Sequence, residues 1–122
     1  MYIDKELIDF QSDVIEASKS TPVLVDFWAS WCGPCVYLSP TLEKLAEEAG
    51  DTWNLIKVNT ESQQDLAVKY GIRSIPNVKL FVNGEISGEF IGALPEEEIK
   101  RWLELNIPKD SEVERVEEVI SE

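Results

Sequence analysis

"VDFWASWCGPC", Val25 to Cys35, contains both cysteines of a 122-residue chain, set two residues apart directly after an apolar run whose single acid is Asp26. Val23 to Ala29 is almost continuously apolar and rich in β-branched and aromatic residues, the pattern of a strand buried on both faces. From Pro34 onward Cys35, Leu38, Leu42, Leu45 and Ala49 recur at helical spacing, with Pro34 suited to a first turn and Gly50 to a stop. The cysteine pair therefore opens a helix, in which Pro40 is expected to cause a kink. Trp53 to Asn59 reads as the next strand, and strand, helix, strand is a right-handed crossover between parallel strands.

Working outward, Glu6 to Ser18 places Leu7, Phe10, Val14 and Ile15 at helical spacing. "QQDLAVKY", ending at Gly71, is a short helix, and "NVKLFVNGEISGEFIG" is a hairpin turning on Asn83-Gly84, so the sheet is mixed. In "LPEEEIKRWLEL", Pro95 and three acids begin a helix whose apolar stripe is Ile99, Trp102 and Leu103. These elements make one α/β domain, with no internal repeat or interdomain linker.

Composition narrows the function. Hydrophobic residues are 43% and charged residues 29%, which is ordinary for a globular chain. Eleven basic against twenty-four acidic residues give a net charge of -13, which repels phosphate backbones and anionic membranes and argues against nucleic acid as a partner. Acids in "MYIDKELIDF" stand where a signal peptide needs positive charge, and no apolar run suits a membrane span, so a cytoplasmic protein is expected. In a reducing compartment a close cysteine pair is catalytic or metal-binding before it is a staple.

A cysteine at a helix N-terminus meets free backbone N–H groups and the positive end of the helix dipole, which favour thiolate; Cys32 is therefore the expected nucleophile. Cys35, one turn inward, is the expected resolving thiol, able to reach the Cys32 sulfur and expel a bound substrate. Gly33 and Pro34 restrict the loop between them. The competing reading is a metal site, but with no histidine and two cysteines a tetrahedral zinc shell would need a second chain. Asp26, inside a doubly buried strand, loses hydration, and its raised pKa makes it a neutral acid or a poised base near neutral pH.

"VDFWASWCGPC", "KYGIRSIP" and "FVNGE" followed by "IGA", in this order and spacing, closely resemble the thioredoxin family over about residues 1 to 107. The resemblance implies the thioredoxin fold, a central mixed five-stranded sheet flanked by helices. It also implies a monomeric dithiol-disulfide oxidoreductase with no bound cofactor, kept reduced by NADPH through thioredoxin reductase, that reduces disulfides in protein substrates. By the same likeness Asp26 assists proton transfer at Cys35, Lys57 partners Asp26, and Pro76 is cis against the cysteine pair, leaving the Ile75 backbone free to pair with a substrate strand. Trp31, Ser74, Ile75, Pro76, Ile91, Gly92 and Ala93 then match the substrate-docking surface. Trp28 reads equally well as core.

Val36 and Asn77 depart from the family pattern, which often has a basic residue and threonine there. Two other readings compete: a more oxidising relative that forms or isomerises disulfides, against which Gly33-Pro34 argues, and a chaperone-linked adaptor, against which the intact cysteines argue. Residues 108 to 122 form an acidic extension beyond the resemblance. There Ser111 and Glu114 make a capping box, and Val113, Val116 and Ile120 predict a short extra helix.

Overall fold

In the computed structural model, which describes residues 1–108, β1 (Val23–Trp28) lies between a parallel neighbour and an antiparallel one, as its doubly apolar sequence requires. α1 (Gly33–Ala49) carries the chain to β2 (Asn54–Asn59), parallel to β1, and α2 (Gln64–Lys69) follows. β3 (Asn77–Val82) returns antiparallel on the other side of β1, β4 (Glu85–Ile91) completes the order β2-β1-β3-β4, and α3 (Glu96–Asn106) ends the described chain. Asn83 and Gly84 both have positive φ, 54° and 80°, the backbone that a two-residue hairpin turn demands. Pro40 lies inside α1, and the helix continues past it to Ala49.

Two differences from the sequence reading have physical causes. The sheet has four strands among the described residues, not five: beside β2 the N-terminus makes a single bridge, Tyr2 to Leu55, flanked by the Ile3 amide donating to the Leu55 carbonyl at 2.8 Å and the Leu55 amide donating to that of Met1 at 2.8 Å. Asp4, Lys5 and Glu6 that follow are polar and exposed, so nothing apolar extends the ladder. The first helix is also shorter than its apolar spacing suggests, running as a π-helix (Gln11–Glu16) and a 3₁₀ turn (Ala17–Lys19). Asp9 halts it on the N-terminal side, its Oδ1 accepting from the Ser12 amide at 3.4 Å. Ile8, rather than the exposed Leu7, enters the core, because the Gln63 side chain donates to its carbonyl at 2.9 Å and accepts from its amide at 3.1 Å. The helix expected from Ser111 and Glu114 onward lies outside the described residues.

Strand alternation sorts the core into two layers. Leu24, Leu55, Val78 and Leu80 pack with Leu38 and Leu42 of α1 and Ile99 and Leu103 of α3. Val25, Phe27, Ile56 and Phe81 pack on the opposite face with Phe10, Val14 and Leu66. Trp102 is only partly buried and meets Phe90 edge-on, ring centroids 5.0 Å apart.

The β3–β4 register shifts at Leu80/Phe81, and next to the shift Gly88 faces α3. A Cβ added there would stand 2.6 Å from Asn106 Oδ1 and 3.2 Å from Trp102 Cζ2. Gly88→Ala is therefore expected to cost about 1–3 kcal/mol in urea unfolding; an unchanged midpoint would mean that α3 does not press on β4 there.

Candidate active site

Cys32 is the residue before the first turn of α1, with extended backbone at φ -90°, and its sulfur accepts a hydrogen bond from the Cys35 amide at 3.2 Å. Pro34, lacking an N–H, fits the first turn without leaving a donor unpaired. Cys32 and Cys35 are joined as a disulfide with Cα atoms 5.2 Å apart. Both pack with Ala29, and against Trp28 and Ile75. Cys35 is fully buried, and Cys32 is buried but for 5% exposure.

Ile75-Pro76 is the cis bond, placed so that the Ile75 carbonyl oxygen lies 3.7 Å from Cys32 Sγ. The Pro76 carbonyl accepts from the Gly92 amide at 2.9 Å, tying the loop after β4 to the proline; Gly92 has φ 94°, which favours glycine. Trp31 is 72% exposed, and Gly33, Pro34, Ser74 and Ile91 are exposed with it, while Ala93 is half-buried and packs on the main core. Trp28 is part of the packing under the cysteines. The loop carrying Trp31 is held by Ser30, whose amide and hydroxyl both donate to Glu61 Oε1, at 2.9 and 2.7 Å.

Asp26 lies between Leu24 and Trp28 in β1, on the face covered by α1. It is completely buried, and neither carboxyl oxygen has a hydrogen-bond partner among the described residues. Burial pushes its pKa up to about 7; the Lys57 charge opposes that rise and the Glu43 charge adds to it. Lys57 is the register partner of Asp26 on β2, yet its ammonium bonds elsewhere. It donates to Ser39 Oγ and lies 3.4 Å from Glu43 Oε2, with the Trp28 ring 5.1 Å away. Lys57 also borders a cleft of about 320 Å³ shared with Tyr2, Lys5 and Asn59.

Ser39 and Glu43 are absent from the sequence reading, although a signal existed. Cys35, Ser39 and Glu43 stand four residues apart, so two polar groups continue the ridge of α1 on which the buried cysteine sits. Of the two departures, Val36 is exposed beside the pair, and Asn77 is buried with its Oδ1 unpartnered among the described residues.

A Cys-x-x-Cys disulfide opening a helix, with a buried acid that has no hydrogen-bond partner among the described residues on the preceding strand, is the site of a thiol-disulfide oxidoreductase. The family model described as Thioredoxin matches residues 3–105. Thioredoxin C-2 of Corynebacterium nephridii is 43% identical over 81% of this chain and 90% of its own length, and thioredoxin of Rhodospirillum rubrum is 40% identical over 80% and 92%. A chloroplastic M-type thioredoxin of Pisum sativum is 44% identical over 79% of this chain and 56% of its own length. The chain belongs to the thioredoxin family, and with Cys32 and Cys35 in place it is a dithiol-disulfide protein reductase. No helix among the described residues is long and apolar enough to cross a membrane.

Proposed function

We propose that Cys32 is the nucleophile and Cys35 the resolving thiol of a general cytoplasmic reductase, supplied with electrons from NADPH by a thioredoxin reductase and acting as a monomer on protein disulfides. The observation that carries the assignment is the Cys32 sulfur at the start of α1, accepting the Cys35 amide, with Cys32 the less buried of the two cysteines. In the reduced protein the Cys32 thiolate attacks one sulfur of a substrate disulfide; that bond breaks, a mixed disulfide forms, and the leaving sulfur takes a proton. Cys35 then gives its proton to the Asp26 carboxylate and attacks Cys32 Sγ, releasing the second substrate thiol and closing the Cys32–Cys35 disulfide. Two electrons and two protons from the reductase restore the dithiol.

Trp31, Ser74, Ile75, Pro76, Ile91, Gly92 and Ala93 form the docking surface in this reading, with the free backbone of Ile75 pairing to an extended substrate segment. The apolar Trp31 and Ile91, both exposed, support it. Exposed Val36 in place of a cation leaves this rim apolar, which bears on substrate and reductase preference.

The purified protein should reduce insulin disulfides with dithiothreitol as donor, well above dithiothreitol alone; a rate equal to that background would refute the reading. Residues 1–107 are assigned as the whole reductase and 108–122 as an extension outside the chemistry, consistent with a family match that ends at residue 105. Deleting residues 109–122 should therefore leave insulin reduction within about twofold. A natively folded truncation without activity would put the extension in the active surface.

A further inference from the structure

Lys57 has two carboxylates to choose between. One is Asp26, its register partner on the adjacent strand, and the other is Glu43 on α1. It is engaged with Glu43, and Ser39 completes the arrangement by accepting from Lys57 while its hydroxyl donates to Glu43 Oε2 at 2.8 Å. The Lys57 side chain is only 15% exposed and the Glu43 side chain 38%, so the contact is shielded from solvent more than an ordinary surface pair. Asp26, meanwhile, has neither oxygen hydrogen-bonded among the described residues.

We propose that Ser39 and Glu43 are positioning residues for the proton step at Asp26, holding the Lys57 ammonium out of a direct ion pair with that carboxyl. The inference rests on the reading that Asp26 takes the proton of Cys35. A direct Lys57–Asp26 pair would stabilise the carboxylate and make it a weak base, whereas with no cation nearby the buried acid would stay protonated and accept nothing. Anchoring Lys57 at one remove keeps its field without its hydrogen bond. The charges that act on Asp26 are Lys57 from β2 and Glu43 from α1, and the Tyr2 hydroxyl of the N-terminal segment feels the Asp26 charge in turn; β3 presents Val78 opposite it.

Glu43→Gln removes the charge but keeps an acceptor for Ser39 and Lys57. In the oxidised protein, the titration midpoint of the Asp26 carboxyl carbon, read by NMR, should fall by about one pH unit as Lys57 turns to Asp26. Ser39→Ala should move it in the same direction, and Lys57→Gln should raise it. On the Lys57→Gln background, Glu43→Gln should have less than half its effect in the natural protein, because most of its action passes through the lysine. The pH profile of mixed-disulfide resolution should shift with the midpoint. A midpoint unmoved by Glu43→Gln or by Ser39→Ala overturns the proposal. So does an equal Glu43→Gln shift with and without Lys57, which would make Glu43 a distant charge only. The titration needs no substrate, so its failure condemns the anchoring alone. Intact shifts beside a resolution rate indifferent to Asp26→Asn would instead condemn the catalytic reading beneath it.

Discussion

Cys32→Ser should lower insulin reduction by at least about a thousandfold, to the rate of dithiothreitol alone. The hydroxyl fits the same position before α1 and can accept the same Cys35 amide, so the fold should survive. What is lost is a sulfur that can be both nucleophile and leaving group, and no neighbouring group replaces it, since Cys35 is fully buried. A far-UV spectrum and unfolding midpoint close to those of the reduced natural protein would locate the defect in the chemistry. Turnover within about tenfold of the natural rate would remove Cys32 from the role of nucleophile.

Asp26→Asn should stabilise the protein above neutral pH while slowing it. An acid in the unfolded chain ionises near 3.8, whereas in the fold the Asp26 proton is held to about 7 because burial disfavours the anion. The folded state thus binds the proton more tightly than the unfolded one. Its contribution is fully present below pH 3.8 and is lost as pH rises to about 7, a difference on the order of 4 kcal/mol. The asparagine variant escapes that loss. Its advantage should be small at pH 3.5, grow through pH 4 to 7 and then level off. Resolution of the mixed disulfide near neutral pH should slow by about ten- to a hundredfold, because the amide cannot take the Cys35 proton. Parallel stability curves from acid to alkaline pH would contradict an Asp26 that is held protonated by burial.

The parts of this molecule legible in the sequence are those encoded by neighbours. β1, the crossover through α1 and the Asn83-Gly84 hairpin follow from short-range pattern and turn chemistry, and the cysteine pair announces itself by its place between strand and helix. The N-terminal boundaries were not so encoded: Gln63 selects Ile8 over Leu7 from fifty-five residues away, which no local spacing reveals. The Lys57 contacts with α1 are not locally encoded either. Resemblance pairs Lys57 with Asp26, and the register does place them opposite each other, but Ser39 and Glu43 from α1 compete for the ammonium, and that competition exists only once helix and sheet are packed. The cis bond at Ile75-Pro76 was readable through the family likeness alone, since the dipeptide by itself favours trans.

The division of labour between the two sulfurs is tested most directly by trapping. Reduced Cys35→Ser protein, incubated with insulin in its disulfide form and digested without reductant, should accumulate a covalent adduct whose mass and fragments place the bond at Cys32, because the thiol that would release it is gone. The natural protein under the same conditions should show the Cys32–Cys35 disulfide and free insulin chains. A persistent adduct on Cys35 in the Cys32→Ser protein, with none on Cys32 in the Cys35→Ser protein, would reverse the assignment and contradict the account.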